Sequence, residues 1–325
     1  MGMEDRLKRV LACLSADARM TTRDLGRALS VSQQAASYAI SRLEERSQIR
    51  YTIVLDPARF GLVSVLVLYH IVGFDLRVAA RARALFERNP YTTLVESVSQ
   101  GADLAVQYTV PNLSLFNKRH REALSELAGA VRIVDMHVVI VRHLFEPKYL
   151  ARRGSREDFV LGGDRAPLRL DARELAVLRA LMHDPRRSIL SIAQETGFDA
   201  KSVVAVKRSL ERRQVIRKYS IIPDHAELGI RRKLVYVQLD HDDTEMNRFV
   251  EFSLQHRNIV EVVKIIGRYD LIVTIEHTRP SLAVINDIRR EFNVHKYWVM
   301  DSHGVHKRSF VPEAALVSVE SARPD

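Results

Sequence analysis

The sequence has few of the features that secreted, metal-binding or membrane proteins depend on. It contains a single cysteine, Cys13, which excludes an intrachain disulfide and a cysteine-based metal site. Cys13 lies in an apolar helical stretch, where a buried structural thiol is the simplest interpretation. No apolar run approaches the roughly 18–20 residues that span a bilayer, and the first residues lack the apolar region of a signal peptide. We therefore expect a cytoplasmic protein without a membrane partner.

Motifs of the common enzyme classes are missing as well. There is no P-loop, nucleophile elbow or dinucleotide fingerprint. Histidine is plentiful, with 12 residues that include His277, His295, His303 and His306. None forms a helical His-x-x-x-His pair beside a carboxylate, and His303 and His306 are expected in a tail after the last strand. We interpret them as surface histidines near a domain interface, and predict no enzyme activity, cofactor or metal.

The positive charge of the chain is confined to parts of it. The net charge is +10, with nine basic and six acidic residues in 1–55 and eleven and six in 171–222. Residues 147–170 carry a further +3, whereas residues 223–325 carry −2. A localised basic excess is the electrostatic footprint expected for contact with phosphate. Solubility alone would explain the charge equally well, so the excess needs a structural context.

The chain repeats itself at an offset of 167 residues. The order of the matching positions is the same in both halves, which chance does not explain. Near the ends the offset becomes 165, where Phe145 matches Phe310. The other matching pairs include Val10 with Val177, Leu14 with Leu181, Asp17 with Asp184, Leu43 with Leu210, Ile49 with Ile216 and Asp103 with Asp270.

The first part of each repeat is predicted to be helical. Apolar residues between Leu7 and Leu14 recur with the helical spacing. A second helix over Thr22–Leu29 follows the N-cap candidate Thr21, and after a turn Ser32 caps a third helix. Repeat two has the same pattern, with Asp199 as the cap of the third helix. Three short helices with a tight turn before the third are typical of a helix-turn-helix unit.

The second part of each repeat alternates strands and helices in the order βαββαβ, the ferredoxin-like arrangement. The predicted fold class is α+β, with two copies of a winged, three-helix domain followed by a ferredoxin-like domain. A basic, glycine-containing segment is expected to be a flexible linker. The predicted divisions are residues 1–57, 58–147, 148–170 as the linker, 171–225, 226–312 and 313–325 as a tail.

Both halves resemble the leucine-responsive/asparagine regulator (Lrp/AsnC) family. The double copy resembles tandem archaeal members of that family. The similarity covers nearly the whole chain, twice, and depends on the order of the pieces. In repeat two these pieces are Asp171, Glu174, Val177-Leu178, Leu181, Asp184, Arg186, Ile192-Ala193, Leu210-Glu211, Val215-Ile216-Arg217, Leu228-Gly229 and Gly267-Arg268-Tyr269-Asp270; repeat one keeps Leu43-Glu44, Ile49-Arg50, Asp56-Pro57 and Phe60-Gly61.

The resemblance implies a β-ladder after each third helix. It also implies C-terminal domains, called RAM domains, that pair through their sheets, and a small effector, often an amino acid. Because both RAM units lie in one chain, we predict that they pair within it. Three departures stand out: Gln100 occupies the first glycine position of the effector loop, Lys207 replaces a branched apolar residue, and Tyr51 and Lys218 replace a glycine.

The two third helices are predicted to contact double-stranded DNA. Glutamine and arginine can bond adenine and guanine edges in the major groove, and short polar groups near the start of the helix suit that position. A solvated helix face is the alternative. Repeat two has fewer base-reading groups and more basic ones, extended by Arg212, Arg213, Arg217 and Lys218. The predicted DNA-binding residues are Ser32, Gln33, Gln34, Ser37, Tyr38, Ser41 and Arg42, with Lys201, Ser202, Lys207 and Arg208.

The effector is predicted to bind at Gly267, Arg268, Tyr269 and Asp270. Glycine lets the backbone approach a ligand, Arg268 can bind a carboxylate, and Asp270 can accept from a ligand amine or from the backbone amides of its own turn. A plain hairpin turn is the competing interpretation. Repeat one, with Gln100, is expected to lack a pocket. Two other functions remain open: a sirohaem-decarboxylase-like tetrapyrrole enzyme on the same fold, and a ligand-binding protein that acts only through protein partners.

Overall fold

The computed structural model describes residues 3–73, 75–150, 157–239, 243–278 and 283–316. Among these residues, no helix has both the length and the apolar character that a membrane span requires. The elements of the first half are α1 (Met3–Ala16), α2 (Thr22–Leu29), α3 (Gln33–Glu45), β1 (Ile49–Leu55), β2 (Val63–Ile71), α4 (Leu76–Arg88), β3 (Thr92–Ser99), β4 (Leu104–Val110), α5 (Leu113–Glu126), β5 (Val131–Phe145) and β6 (Asp158–Gly162).

The second half repeats this order of elements. In the first half, short 3₁₀ helices also follow β1 (Pro57–Phe60) and β5 (Lys148–Leu150). The remaining elements are α6 (Ala172–His183), α7 (Ile189–Thr196), α8 (Ala200–Arg212), β7 (Ile216–Pro223), β8 (Arg231–Gln238), α9 (Asp243–Gln255), β9 (Ile259–Ile266), β10 (Leu271–His277), α10 (Ala283–Glu291) and β11 (Lys296–Arg308).

The helical units begin where the capping residues predict. The Thr21 side chain accepts from the backbone N–H of Asp24, and Ser32 accepts from that of Ala35. Asp199 caps α8 in the same way. These bonds satisfy backbone N–H groups that have no partner inside the first turn of a helix. The turn before α3 is closed by Ser30, which adopts a left-handed conformation with φ of 57°.

The two helix-turn-helix units are joined by an antiparallel ladder of β1 and β7. The ladder runs from Ile49 opposite Pro223 through Thr52 opposite Ser220. Each strand also contributes to the core of the other unit, since Leu55 packs with the second set of helices and Ile221 with the first. The β-ladder implied by the resemblance is therefore present, and it forms within one chain.

Each RAM unit has the predicted ferredoxin-like topology. The strand order is β5-β2-β4-β3 in repeat one and β11-β8-β10-β9 in repeat two. In both units an apolar core lies between the sheet and its two helices, with Phe86 and Phe116 in the first and Phe249 and Phe292 in the second. The predicted fold class is thus confirmed.

The two RAM sheets join edge to edge into one closed sheet. Strand β3 pairs with β11, and β5 pairs with β9, both antiparallel. Together with the pairing of β2 and β5, these junctions close every strand of the sheet except β6, which lies beside β5. Closure leaves few unpaired strand edges. The predicted pairing of the RAM units inside one chain is therefore confirmed.

The segments predicted as linker and tail are more ordered than a flexible connection. Strand β6 pairs with β5, with Phe159 opposite Leu144. Tyr149 and Leu150 pack into the core of the first helical unit, and Ala315 and Leu316 into that of the second. Burial of these apolar side chains explains the order. The division of the chain into domains stays a prediction, and residues 151–156 and 317–325 lie outside the described residues.

The last strand is longer than expected. Strand β11 continues to Arg308, so the expectation that His303 and His306 lie in a tail beyond the last strand is wrong. Both ring Nε2 atoms bond serine hydroxyls of β3, His303 to Ser99 and His306 to Ser97, each at 2.7 Å. The reason is the junction with β3, a long-range pairing that extends the strand.

Candidate DNA-binding surface and effector site

The outer face of α3 is a solvent-exposed polar surface. Ser32, Gln33, Gln34, Ser37 and Tyr38 are exposed, and Tyr38 retains 68% of its surface. Ser41 and Arg42 are half-buried. The opposite face holds Ala36, Ile40 and Leu43 in the core. All the residues predicted from α3 thus lie on one side of a helix anchored by its apolar stripe.

The outer face of α8 is more basic. Lys201 and Arg208 are exposed, whereas Ser202 is half-buried. The Ser202 hydroxyl donates to the Asp199 carboxylate at 2.6 Å, and its N–H donates to the same side chain. Ser202 therefore has a capping role that does not require DNA. The groups best placed for phosphate on this face are Lys201 and Arg208.

Lys207 lies apart from the other predicted DNA-binding residues. Its ammonium pairs with Glu211 and lies 5.3 Å from the centroid of the Tyr219 ring. The equivalent position in repeat one is Ile40, a core residue. The stem of Lys207 thus takes the place of an apolar side chain while its charge reaches a carboxylate. The substitution noted in the sequence is accommodated inside the unit.

Two of the residues that extend the basic run of repeat two form internal ion pairs. Arg213 pairs with Glu174, and Lys218 with Glu146 at 3.5 Å. Burial lowers the pKa of Lys218 below its usual value. Arg212 is exposed and Arg217 half-buried. Much of the local positive charge is therefore neutralised within the fold, and the exposed remainder lies on α8 and at its end.

A pair of crossed contacts holds the helical units against each other. The Arg186 guanidinium lies 5.1 Å from the Tyr51 ring centroid and donates to the Tyr51 hydroxyl at 2.7 Å. In the equivalent contact, Arg19 lies 5.3 Å from the Tyr219 ring centroid and donates to backbone carbonyls of the second unit, including that of Pro185. Each arginine belongs to the unit opposite its tyrosine. The contacts therefore fix the placement of α3 relative to α8.

Two tyrosines of the ladder, Tyr51 and Tyr219, also fasten the third helices to it. The Tyr51 hydroxyl donates to Glu44 at 2.6 Å, and the Tyr219 hydroxyl donates to Glu211 at 2.9 Å. Burial, together with the hydrogen bond to Glu44, raises the pKa of Tyr51 to about 12. Tyr51 thus remains a neutral hydrogen-bond donor throughout the physiological pH range.

The predicted effector loop lies at a junction of the two RAM units. A Cβ at Gly267 would be 2.4 Å from Nδ1 of His137, a residue of the other unit, so glycine is required by this approach. Arg268 is exposed, but Tyr269 is buried among the aromatic residues inside the closed sheet. One oxygen of Asp270 accepts from the backbone N–H of Leu239 at 3.0 Å, which supports the turn itself.

The equivalent loop of repeat one is built differently. Gln100 and Gly101 have positive φ values of 72° and 116°. A Cβ at Gly101 would lie 2.6 Å from the Trp298 ring, and the indole N–H donates to the Gln100 carbonyl at 2.7 Å. Gly101, which lies one position after the first glycine of the family pattern, is therefore required because the Trp298 ring packs against this loop. Asp103 keeps the role of Asp270, accepting from the N–H of Ile71.

An aromatic cluster inside the closed sheet was not predicted from the sequence. Tyr236 lies 5.4 Å from His137, 5.6 Å from Tyr269 and 5.5 Å from Trp298, measured between ring centroids. Within the part of the chain that the structure describes, three buried polar atoms of this cluster have no hydrogen-bond partner. They are the two ring nitrogens of His137 and the hydroxyl of Tyr236. The alternation of apolar residues along β5 and β8 indicates that some of their side chains are buried. It does not indicate which strand of the other RAM unit they face.

Burial lowers the pKa of His137, and Asp135, 3.6 Å from its Nε2, opposes that change. The imidazole is therefore kept neutral, with one nitrogen as a donor and the other as an acceptor. In the described ranges, no group of three His, Cys, Asp or Glu residues could hold a metal ion. The cluster therefore combines aromatic packing with neutral groups that are able to form hydrogen bonds, next to the Gly267–Asp270 loop.

Comparison with known proteins agrees with the fold and with the helical unit. Residues 3–50 match the family of winged helix-turn-helix DNA-binding domains. An uncharacterized HTH-type transcriptional regulator of Pyrococcus furiosus is 27% identical over 129 residues, which covers 38% of this chain and 82% of that protein. These two findings confirm the resemblance to helix-turn-helix regulators drawn from the sequence.

A solved structure shares the architecture of the whole chain at low identity. The siroheme decarboxylase NirDL aligns with a TM-score of 0.61 at 14% identity, covering 98% of this chain and 99% of that one. An AsnC family transcriptional regulator from Agrobacterium tumefaciens, 16% identical, aligns with 43% of this chain and 94% of its own, with a TM-score of 0.37. The match to the decarboxylase extends over both repeats and concerns the fold.

Proposed function

We propose that the chain is a DNA-binding transcription regulator that reads the major groove with α3 and α8 and senses a small effector, such as an amino acid, through its RAM units. The observation that carries the proposal is the ladder of β1 and β7. Antiparallel pairing relates equivalent strands by a local two-fold axis, so the helices before them are presented as a pair. Two-fold related recognition helices suit two half-sites on duplex DNA.

The charge distribution supports DNA as the partner. Lys201 and Arg208 are exposed on α8, while α3 exposes Gln33 and Gln34. Glutamine can form bidentate bonds with adenine, and basic side chains bind phosphates without regard to sequence. Because the two faces differ, the expected operator is only weakly palindromic.

Unpartnered polar atoms support effector sensing at the Gly267–Asp270 loop. Among the residues that the structure describes, the buried His137 imidazole and the buried Tyr236 phenol have no hydrogen-bond partner, and a bound polar ligand would remove the resulting desolvation cost. Arg268, exposed next to them, is able to bind a carboxylate. An amino acid would match these groups, with His137 and Tyr236 as contacts from both RAM units.

The DNA proposal is tested by selection of bound fragments from a genomic library, followed by anisotropy titrations at several salt concentrations. We expect affinity to fall steeply as salt rises, because counterions are released from phosphates. An Arg208→Ala variant should lower the salt slope, whereas Arg290→Ala, which removes an exposed arginine of helix α10 in the second RAM unit, should not. Absence of salt-dependent binding to any fragment would exclude a DNA-binding regulator and leave a protein-mediated role.

The effector proposal is tested by calorimetry with the twenty amino acids. Arg268→Gln should weaken binding of any ligand found, since it removes a charge-assisted hydrogen bond. The tetrapyrrole alternative is tested on the same sample by its absorption after incubation with sirohaem. Saturable binding with a spectral shift would favour the enzyme over the regulator.

A further inference from the structure

The end of the closed sheet that faces the helical units contains a buried network of charges. Arg232 bonds Glu96 at 2.8 Å and Glu276 at 2.7 Å. Glu276 also accepts from the Tyr149 hydroxyl and contacts His225, each at 2.8 Å. Burial alone would lower the pKa of Arg232, but the carboxylates of Glu96 and Glu276 raise it above its usual value. This part of the network is therefore well supplied with negative charge.

A second part of the network brings several guanidinium groups together around one glutamate. Arg142 and Arg308 both pair with one carboxylate, Glu261, which is only 3% exposed. Arg142 also donates to the Gln107 side-chain oxygen at 2.6 Å. Burial, then the neighbouring guanidiniums, lower the pKa of Arg142 to about 9 and that of Arg308 to about 10. Arg232 also approaches Glu261, at 3.8 Å, so three guanidinium groups surround one carboxylate, and two of them, Arg142 and Arg308, are only half-buried.

A cavity of about 270 Å³ opens beside these two arginines. Its charged lining residues are Arg142, Arg308 and Asp164, of which Asp164 is exposed at the surface. Most of the remaining wall is apolar. It includes Leu62, Leu94, Val139, Leu161 and Phe310, with Ser64, Gln107 and Ser309 as polar groups. An apolar cavity with a few convergent polar groups is the usual form of a ligand site.

We infer that this cavity binds a small organic monocarboxylate, with its carboxylate on the guanidiniums of Arg142 and Arg308 and its apolar chain against the cavity wall. A ligand carboxylate in the cavity would give Arg142 and Arg308 a second anionic partner besides Glu261. Guanidinium groups bind carboxylates through paired hydrogen bonds. The cavity is slightly smaller than the range of about 300–1,000 Å³ for drug-sized ligands, which restricts the ligand to metabolite size.

The site differs in place from the proposed effector loop. Arg142 and His137 both lie on β5 and are separated by on the order of 15 Å at about 3.3 Å per residue. The cavity also touches Pro57 and Ala58, which connect the β1–β7 ladder to the closed sheet. Next to them, buried Asp56 accepts from the Gly162 N–H and from Arg165, at 2.8 Å and 2.9 Å. A bound ligand would contact the connection between the DNA-binding and RAM parts.

The test is calorimetry of the full chain with butanoate, hexanoate, octanoate and phenylacetate, with hexanamide and inorganic phosphate as comparisons. We expect saturable binding of at least one carboxylate and binding about tenfold or more weaker for the amide, which lacks the charge. No binding by the whole series would overturn the inference. Phosphate binding as tight as the best carboxylate would overturn the assignment of an apolar monocarboxylate.

Variants locate the site. Ala58→Phe should fill the cavity without touching the charge network and abolish binding, whereas Ala166→Phe, on the exposed segment nearby, should not. Arg308→Gln should weaken binding, and Arg308→Lys should weaken it less, because the charge remains but the fork is lost. Arg268→Gln should leave this affinity unchanged. Binding lost in Arg268→Gln but kept in Ala58→Phe would place the ligand at the other loop. Because no step uses DNA, the result is independent of the proposed regulator function.

Discussion

Position 40 and position 207 are equivalent in the two repeats, yet one holds a buried isoleucine and the other a lysine that pairs with Glu211. The surroundings explain the difference. In repeat one the carboxylate of Glu44 already interacts with Arg186 and Tyr51. In repeat two Arg19 binds backbone carbonyls instead, so Glu211 is left for Lys207. Equivalent positions of the two repeats can therefore hold an apolar or a charged side chain when the neighbouring residues also differ.

The loops that contain Gly267 and Gly101 also differ between the two repeats. Gly267 gives space to His137, and Gly101 gives space to Trp298, although the glycines are not at equivalent positions. Each glycine is required by a ring from the opposite RAM unit. Pairing of two unequal units within one chain therefore allows the two junctions to diverge, which identical chains in a symmetric dimer cannot do.

Exchanging the residue types at positions 40 and 207 should have the largest effect on the free energy of unfolding. Ile40→Lys should lower the free energy of unfolding by about 3 kcal/mol, because apolar burial is lost and a second cation enters beside Arg186. Lys207→Ile should change it by less than about 1 kcal/mol, since a partly exposed ion pair contributes little. Urea denaturation of both variants measures the difference. Equal costs would contradict the explanation from local partners.

Alanine at the loop glycines should have the next largest effect. Gly101→Ala should cost about 2–3 kcal/mol, because the added Cβ meets Trp298 and the backbone has a positive φ. Gly267→Ala should cost about 1–2 kcal/mol from the contacts of the added Cβ with the His137 ring and the Met136 carbonyl oxygen, because its backbone has no positive φ. Gly129, with φ of 78° and no atom near its Cβ position, serves as a control for backbone strain. If Gly129→Ala were as destabilising as Gly101→Ala, backbone strain alone would explain the loss of stability, and the contact with Trp298 would not be needed to explain it.

Substitutions on the recognition helices should separate base reading from phosphate binding. Gln34→Ala or Arg42→Ala should reduce discrimination between operator and random DNA by about 1–3 kcal/mol. Lys201→Ala or Arg208→Ala should weaken both sequences alike and flatten the salt dependence. Competition binding with operator and random duplexes gives both quantities. If the α8 variants changed base preference more than the α3 variants, the proposed asymmetry would be reversed.

The smallest effect concerns pH and a histidine of repeat one. Burial lowers the pKa of His120, whose Nδ1 bonds the Tyr69 hydroxyl at 2.8 Å; repeat two has Asp287 at the equivalent position. The folded state therefore keeps this ring neutral while the unfolded state takes up a proton near pH 6.5. Stability should fall as the pH drops through that value. His120→Phe should show a shallower fall between pH 8 and pH 5; an unchanged slope would assign the effect to other groups such as His137.

Local elements were predictable because local rules decide them. The caps Thr21, Ser32 and Asp199 and the helix Thr22–Leu29 lie where spacing and capping predict. The polar faces of α3 and α8 also follow from helical periodicity. Their contact with DNA and the role of the Gly267–Asp270 loop remain predictions, because residue type alone does not distinguish a ligand site from a structural turn.

The sequence by itself determined the repeat, the order of the elements and the outward residues of helices α3 and α8, since each depends on periodicity within a few turns or strands. Tertiary structure alone decided the lengths of β5 and β11, the aromatic cluster around Tyr236 and the arginines beside the cavity. These features arise where β3 meets β11 and β5 meets β9. Residues far apart in the chain become neighbours there, and no pattern confined to one segment specifies which partners meet.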